Sequence, residues 1–333
     1  MSEDAFRAAL EASALFDMSH WGRLHVGGQD RLRFLHNMTT AAFEGAGPGE
    51  VIEAVVLTAK ARMIDLVTAV VVGEHVGLIT SPERRHVLPN WFRRFIFFND
   101  DVHVTDVSEQ SCLFILVGPQ SDKVLDTLLS NELPETGRCV MGRVNGEPVL
   151  VAAGSGLGTP GYRLLVPAGA DAKVVWASLV AAGARHDLVV GDGEVWEQLR
   201  VWHGRPAADH EITEEYNPLE AGLWHAIRFD KGCYIGQEVV ARLDTYRKIK
   251  QHLMRVDLEQ MVPPGGDLMV AGQPVGRLTS AVETPLGPFG LAYIRREAAQ
   301  PGVEVLVRAG DLTTSGQLSD PQFVRRERPP ELP

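Results

Sequence analysis

Residues 228–243 read Arg-Phe-Asp-Lys-Gly-Cys-Tyr-Ile-Gly-Gln-Glu-Val-Val-Ala-Arg-Leu, and this stretch carries the strongest signal in the chain. Its last apolar residues follow helical spacing, so we expect a helix whose first turn begins at Gly236. Cys233 then lies in the loop before the helix, two residues from Lys231. The helix dipole and the ammonium group both favour thiolate over thiol, which predicts a reactive cysteine. The alternative is a half-buried cysteine that acts as a small hydrophobe in a glycine-flanked loop.

The composition describes a globular, moderately acidic chain. It has 333 residues, of which 45% are hydrophobic, and about 150 residues per domain predicts two or three domains. The 32 basic and 43 acidic residues leave a net charge of −11. Because nucleic-acid and anionic-membrane binders gain affinity by neutralising phosphates, this charge argues against strong direct binding of either. A local basic pocket is still compatible with it.

The cysteines and the apolar runs favour a cytoplasmic protein. Cys112, Cys139 and Cys233 are widely spaced and form no CxxC pair, so neither a disulfide framework nor a metal site is expected. The first residues are charged and lack the apolar core of a signal peptide. The most apolar stretch is broken by charges, and its longest clean run, residues 66–72, is too short to span a bilayer. We therefore expect no membrane partner.

Local patterns predict an α+β protein. Residues 66–79 predict a β-hairpin that turns at Gly73. Residues 81–95 predict a helix that begins with a Ser-Pro-Glu cap and is kinked at Pro89. Residues 193–203 predict another helix, which starts after an aspartate cap and stops at a glycine.

The composition changes near residue 256, and this change sets the expected domain boundaries. From there the chain is rich in Gly, Pro and Val in short alternating runs, which predicts a small C-terminal β-barrel. We expect residues 1–255 to form one region of two interleaved α+β domains. Residues 256–325 would form the barrel, and residues 326–333 a tail.

The eight residues Lys231-Gly-Cys-Tyr-Ile-Gly-Gln-Glu238, with Arg242 after them, resemble the signature of the YgfZ family. These are folate-binding proteins of iron–sulfur cluster maintenance, related to the T-protein (aminomethyltransferase) of the glycine cleavage system. Phe16–Gly22, Asn217–Leu223 and Val275–Ser280 resemble other shared segments, so the resemblance covers nearly the whole chain. It implies a three-domain, aminomethyltransferase-like fold around a central channel that holds tetrahydrofolate.

The resemblance also implies a function. It is that of a tetrahydrofolate-binding accessory protein in iron–sulfur cluster assembly or repair, with Cys233 as the functional thiol and Lys231 beside it. The implied partners are folate and iron–sulfur client or assembly proteins. Folate has a flat pterin and an anionic tail, so its site needs an apolar slot, flat side chains and cations. The residues that the signature and this chemistry select for folate are Arg200, Trp202, Arg228, Lys231, Tyr234, Gln237, Glu238 and Arg242.

Departures from the transferase pattern favour the YgfZ-type function. Where the T-protein keeps two adjacent aspartates, residues 60–66 have one acid, Asp65. Trp202 stands where the transferase has a folate-contacting glutamate, and an indole offers mainly stacking. The transferase version of the signature also lacks the cysteine that is Cys233 here.

Other interpretations stay open. The main alternative is an active aminomethyltransferase in which Asp65 orients or activates an amine near the folate. A folate-dependent demethylase or oxidase domain and a tRNA-modification partner rank after it. Each candidate arginine could instead form surface salt bridges. Trp202 shares a helical stripe with Val195 and Leu199, so core packing is an equal alternative for its ring.

Overall fold

The computed structural model describes residues 2–330, which form two compact units. The first unit comprises the residues up to Ala54 together with Leu66–Trp196. The second comprises Val55–Asp65 with the residues from Glu197 onward. Each unit is therefore assembled from separated pieces of the chain.

Two sheets carry most of the first unit. Their strands are β1 (Ser13–Asp17), β2 (Gly22–Gly27), β3 (Val51–Leu57), β4 (Met63–Val72), β5 (His75–Thr80), β6 (His103–Asp106), β7 (Cys112–Val117), β8 (Cys139–Val144), β9 (Glu147–Ala153), β10 (Gly161–Val166) and β11 (Leu188–Val190). One sheet has the order β11-β1-β7-β10-β9-β8 and the other β3-β4-β5-β2-β6. The ends of β3 and β4 and the turn between them belong to the second unit.

Seven α-helices lie within residues 2–330. They are α1 (Ser2–Glu11), α2 (Arg31–Met38), α3 (Val87–Arg93), α4 (Ser121–Asp126), α5 (Ala172–Gly183), α6 (Gly193–His203) and α7 (Gln237–Thr245). In this part of the chain, no helix combines the length and the apolar composition that crossing a bilayer requires.

The elements predicted from local patterns are confirmed where one signal dominates. β4 and β5 form the predicted hairpin, with Val72 opposite His75. α6 covers residues 193–203, and Asp192 Oδ1 caps it by accepting from the backbone N–H of Val195 at 3.0 Å. α7 begins at Gln237, directly after Gly236, as its apolar spacing predicted.

The single kinked helix predicted over residues 81–95 is wrong. A 3-10 turn covers Pro82–Arg84, and the separate helix α3 begins at Val87. Pro89 lies in the first turn of α3, where its missing N–H removes no intrahelical hydrogen bond. It therefore marks a helix start and not a kink.

The C-terminal part of the second unit is a closed six-stranded barrel, as predicted. Its strands are β12 (Gln251–Leu258), β13 (Asp267–Val270), β14 (Gln273–Thr284), β15 (Gly287–Arg295), β16 (Glu304–Ala309) and β17 (Leu312–Ser319), and the order around the barrel is β12-β15-β14-β13-β16-β17. Inward-facing residues such as Val256, Leu278 and Val307 form its core. Of the expected tail, Arg328 bonds to Asp244 at 2.9 Å, and residues 331–333 lie outside the described residues.

Candidate functional site

The signature loop, residues 231–236, leads into α7 through a glycine that no other residue can replace without strain. Gly236 precedes the helix with φ of +87°, a conformation that side chains with a Cβ rarely adopt. A Cβ at this position would lie 2.8 Å from the carbonyl oxygen of Thr58 and 3.2 Å from the Cα of Ala61. The loop therefore packs its backbone directly on the turn between β3 and β4.

That turn, residues 58–62, is itself tightly hydrogen-bonded. The N–H of Thr58 donates to the carbonyl of Arg62 at 2.9 Å, and the N–H of Ala61 donates to that of Thr58 at 2.9 Å. Asp65 follows on β4 and is fully buried. The structure thus brings the signature loop against the turn that leads into β4, the strand that carries Asp65.

Cys233 lies exposed in the signature loop, whereas Cys112 is half-buried and Cys139 is buried. Burial raises the pKa of the Cys139 thiol, which keeps it protonated and inert. A functional thiol has to be accessible, and Cys233 is exposed. A cysteine that acts as a small core hydrophobe would be buried.

Lys231 and Tyr234 flank the cysteine and contact each other. The Lys231 ammonium lies 4.7 Å from the centroid of the Tyr234 ring, a distance typical of a cation–π contact. Tyr234 is buried, and that burial raises the pKa of its hydroxyl. The loop therefore buries its aromatic side chain while it presents its thiol.

The other signature residues lie on the first turns of α7 or close before the loop. Gln237 Nε2 donates to the carbonyl of Lys231 at 3.4 Å. Arg242 and Glu238 are both exposed, 4.0 Å apart, and Arg228 is paired with Asp230 at 3.2 Å. Exposed ion pairs of this kind are weak, so either arginine can exchange its partner for the carboxylate of a ligand.

Arg200 lies elsewhere, in a buried network. Its guanidinium donates to the Glu197 carboxylate, to Glu211 Oε2 at 2.9 Å and to Ser280 Oγ at 2.7 Å. It also donates to the carbonyl of Arg205 at 2.9 Å. Burial alone would lower the pKa of Arg200, but the two carboxylates raise it above its ordinary value. With these donors occupied, Arg200 joins α6 to strand β14 and does not present a free cation.

Glu211 is the residue that sequence reasoning missed. It is fully buried, and Oε1 accepts from the hydroxyls of Thr279 and Ser280 at 2.6 Å each. Burial alone would raise its pKa, but the Arg200 charge and these donors hold the pKa below its ordinary value. In the sequence Glu211 forms only an isolated pair with His210, whereas its structural partners lie on α6 (Arg200) and on the distant strand β14 (Thr279 and Ser280). No spacing signal could have found it.

Trp202 packs against the barrel. Its ring lies edge-on to Phe289 with centroids 4.6 Å apart, and the Arg255 guanidinium lies 4.5 Å from its centroid. The geometry matches the core-packing alternative for this side chain. Within residues 2–330, no cluster of three or more His, Cys, Asp or Glu side chains has the geometry to hold a metal ion.

Comparisons with known proteins show which families and relatives this chain resembles. The family model "GCVT N-terminal domain" matches residues 1–231, and "CAF17, C-terminal beta-barrel domain" matches residues 250–325. Over 98% of its length the chain is 38% identical to the chloroplastic protein At1g60990 of Arabidopsis thaliana, a transferase by name, and it covers 75% of that protein. It is 29% identical to the aminomethyltransferase of Rubrobacter xylanophilus, over 95% of this chain and 84% of the relative.

A solved structure shows the same fold. The glycine cleavage system aminomethyltransferase T from Bartonella henselae matches with a TM-score of 0.83 at 18% identity, over 97% of this chain and 89% of that one. The fold and the signature loop thus define an aminomethyltransferase-like protein with a closed C-terminal barrel. The chain belongs to the YgfZ/CAF17 family, a folate-binding family related to the aminomethyltransferases. This confirms the family and the fold class predicted from the signature.

Proposed function

We propose that this protein binds tetrahydrofolate and acts as an accessory protein in iron–sulfur cluster assembly or repair. The observation that carries the proposal is the exposed Cys233 in a loop whose backbone is fixed against the Thr58–Ala61 turn. A thiol held on a fixed loop can meet a partner protein without first unfolding its surroundings. Its partners are then iron–sulfur client or assembly proteins in a reducing compartment such as the cytoplasm.

The second unit has polar groups that fit a folate. Gln198 Oε1 and Trp224 Nε1 are both buried, and neither has a hydrogen-bond partner among the described residues. Buried polar atoms are almost always paired, so such atoms suit a bound group that supplies the missing donor and acceptor. A pterin carries N–H donors and a carbonyl, which Gln198 and Trp224 respectively could satisfy.

Charged side chains for the rest of the ligand come from the signature. Lys231, Arg228 and Arg242 are the cations for the anionic tail, and the buried Tyr234 ring contributes by positioning the Lys231 ammonium. When bound, tetrahydrofolate supplies a carrier for a one-carbon unit. The contribution of the chain is to bind and orient it. Arg200 acts only indirectly in this proposal, by holding α6 in place.

Complementation in cells tests the proposal. In cells that lack the native protein, the wild-type chain should restore the activity of iron–sulfur enzymes, and Cys233→Ser should not. Cys139→Ser is the matched control, because its thiol is buried and protonated in the wild type. If Cys233→Ser restored full activity, the role given to the thiol would be wrong.

A second candidate function is folate-dependent aminomethyl transfer. Relatives that are named aminomethyltransferases favour it. So does the buried Asp65, which lies on β4 directly after the turn that the signature loop contacts. A carboxylate there could orient an amine for transfer to the folate. An assay with an aminomethyl-loaded lipoyl carrier and tetrahydrofolate decides the matter. Turnover that Asp65→Asn abolishes would support this candidate, and absence of turnover in the wild type excludes it.

A further inference from the structure

Two neighbouring phenylalanines stand out on the surface of the first unit. Phe97 is 68% exposed and Phe98 is 97% exposed, directly after helix α3. Single exposed apolar residues are common on protein surfaces, but contiguous exposed apolar groups mark interaction sites. Val87, at the start of α3, is also exposed.

The two phenylalanines protrude on a fixed turn. The N–H of Phe97 donates to Asp100 Oδ2 at 2.8 Å, and the N–H of Asp100 returns a bond to the carbonyl of Phe97 at 2.9 Å. Asp100 is also paired with Arg33 of α2 at 3.1 Å. A Cβ at Gly28 would overlap the carbonyl oxygen of Asp101, so the backbone directly after the turn is packed closely against Gly28. The protrusion is therefore preorganised.

The same segment is basic in an acidic protein. Residues 84–99 contain four arginines and one histidine and no aspartate or glutamate, in a chain with a net charge of −11. Arg93 and Arg94 are both exposed, and neither forms an ion pair with a carboxylate among the described residues. Arg93 donates to Asn90 Oδ1 at 3.1 Å, and the Arg94 guanidinium lies 5.6 Å from the centroid of the Trp91 ring. Both cations are exposed and precede the two phenylalanines by only three to five residues of the chain.

We propose that the Phe97–Phe98 turn, with Arg93 and Arg94, binds an anionic lipid surface. Two protruding rings can insert into the apolar layer of a lipid surface, which deforms around them and needs no preformed cavity. The nearby arginines can pair with lipid phosphates. The net charge does not oppose this, because at physiological ionic strength charges act over about 8 Å. The lipid surface therefore meets the local charge of the turn and not that of the whole chain.

A second copy of the chain is a poorer occupant for this surface. In a symmetric dimer the same patch meets itself, so Arg93 and Arg94 would face the same arginines of the partner. A head-to-tail contact would join the patch to a different surface of the next copy and would form a ring or an open filament. An acidic protein with an apolar cleft is the remaining kind of partner, and the experiment separates it from a lipid surface.

Vesicle co-sedimentation of the full chain tests the proposal. The probes are vesicles of phosphatidylcholine alone and of phosphatidylcholine with about one-third phosphatidylglycerol, at physiological ionic strength. We expect binding to the anionic vesicles, roughly tenfold weaker or less for the pair Phe97→Ser/Phe98→Ser. The pair Arg93→Glu/Arg94→Glu should lose the preference for anionic over neutral vesicles.

Matched controls and contrary outcomes are available within the chain. Leu312→Ser and Arg277→Glu change an exposed apolar and an exposed basic residue of the barrel, and neither should alter binding. Phe98→Ser alone, at an almost fully exposed site, guards against misfolding of the double variant. Failure to bind anionic vesicles would overturn the proposal and leave the patch to an acidic protein. Equal binding to neutral vesicles, or unchanged binding of the phenylalanine variants, would also overturn it.

Discussion

The α-carbon of Gly236 lies against the carbonyl oxygen of Thr58, so closely that a Cβ would approach that oxygen to 2.8 Å. This contact joins the start of α7 to the turn that precedes β4. At this point the signature loop is held by a contact between backbone atoms. The position of the Cys233 thiol therefore depends on a glycine.

Gly236→Ala should destabilise the protein by about 3 kcal/mol, because the substitution adds a close contact to a strained φ. Gly272→Ala is the matched control, since Gly272 also has positive φ, +78°, but nothing within 4 Å of its Cβ position. The control should lose only about 1 kcal/mol. Denaturant unfolding of the two variants measures the difference. Equal losses of unfolding free energy in the two variants would show that the contact with Thr58 does not contribute to the effect of Gly236→Ala.

Glu211→Gln should cost about 3 kcal/mol of unfolding free energy, because it removes the fully buried one of the two carboxylates that pair with the buried Arg200 guanidinium. Glu238→Gln, at an exposed position, should leave the stability unchanged. Chemical denaturation of both variants checks this. A small loss for Glu211→Gln would mean that water or Glu197 compensates Arg200.

The stability should fall as the pH drops from about 6.5 towards 4. The rings of His25 and His75 stack with centroids 4.0 Å apart, and burial together with His75 lowers the pKa of His25 to about 4. The ordinary pKa of histidine is 6.5, so as the pH falls the unfolded chain takes up a proton on His25 before the folded protein does. The stability that His25 contributes above pH 6.5 is therefore lost progressively as the pH falls towards its folded pKa of about 4. Burial and Arg31 lower the pKa of His75 in the same direction, while Glu74 opposes them.

The contribution of His25 can be isolated by substitution. His25→Gln should flatten the loss of melting temperature between pH 6.5 and 4, whereas the exposed His86→Gln should not. Thermal unfolding at several pH values measures this. Identical pH profiles for wild type and His25→Gln would assign the acid sensitivity to other groups.

Lys231→Ala should weaken binding of tetrahydrofolate by roughly tenfold or more, because it removes the cation that lies on the Tyr234 ring. Lys123→Ala changes an exposed lysine of α4 and should leave the affinity as in the wild type. Isothermal titration calorimetry provides both affinities. Unchanged affinity in Lys231→Ala would move the folate away from the signature loop.

Cys233 should be alkylated first when the native protein is treated with iodoacetamide. It is exposed, whereas Cys112 is half-buried and Cys139 is buried. Peptide mass spectrometry over a time course gives the order of modification, and unfolded protein, in which all three thiols are accessible, is the control. Faster labelling of Cys139 would contradict the placement of the two thiols.

The sequence predicted those elements whose signal lies within one short stretch. α6, α7 and the β4–β5 hairpin follow from spacing, caps and a tight turn that are all local. The helix over residues 81–95 failed because the same proline signal fits both a kink and a new helix start at Val87. Local pattern could not choose between them.

The candidate site was predictable only in part, for a different reason. The signature places Lys231, Cys233 and Tyr234 together because they are consecutive in one loop. By contrast, Arg200, Glu211 and Ser280 meet only through tertiary packing, with the last two 69 residues apart. Such a pairing leaves no periodic trace, so the sequence suggests a ligand-binding role for Arg200 but not its ion pair with Glu211 at 2.9 Å.

Because each unit is built from separated segments of the chain, the division affects both folding during translation and the design of truncated fragments. Residues 55–65 leave the ribosome early, but the rest of the unit to which they belong is synthesised only after Trp196. During translation these residues therefore emerge well before most of their own unit, which has to form later. For the same reason, a fragment that stops at Trp196 keeps residues 55–65 but lacks the rest of their unit, so the two units cannot be separated by one truncation.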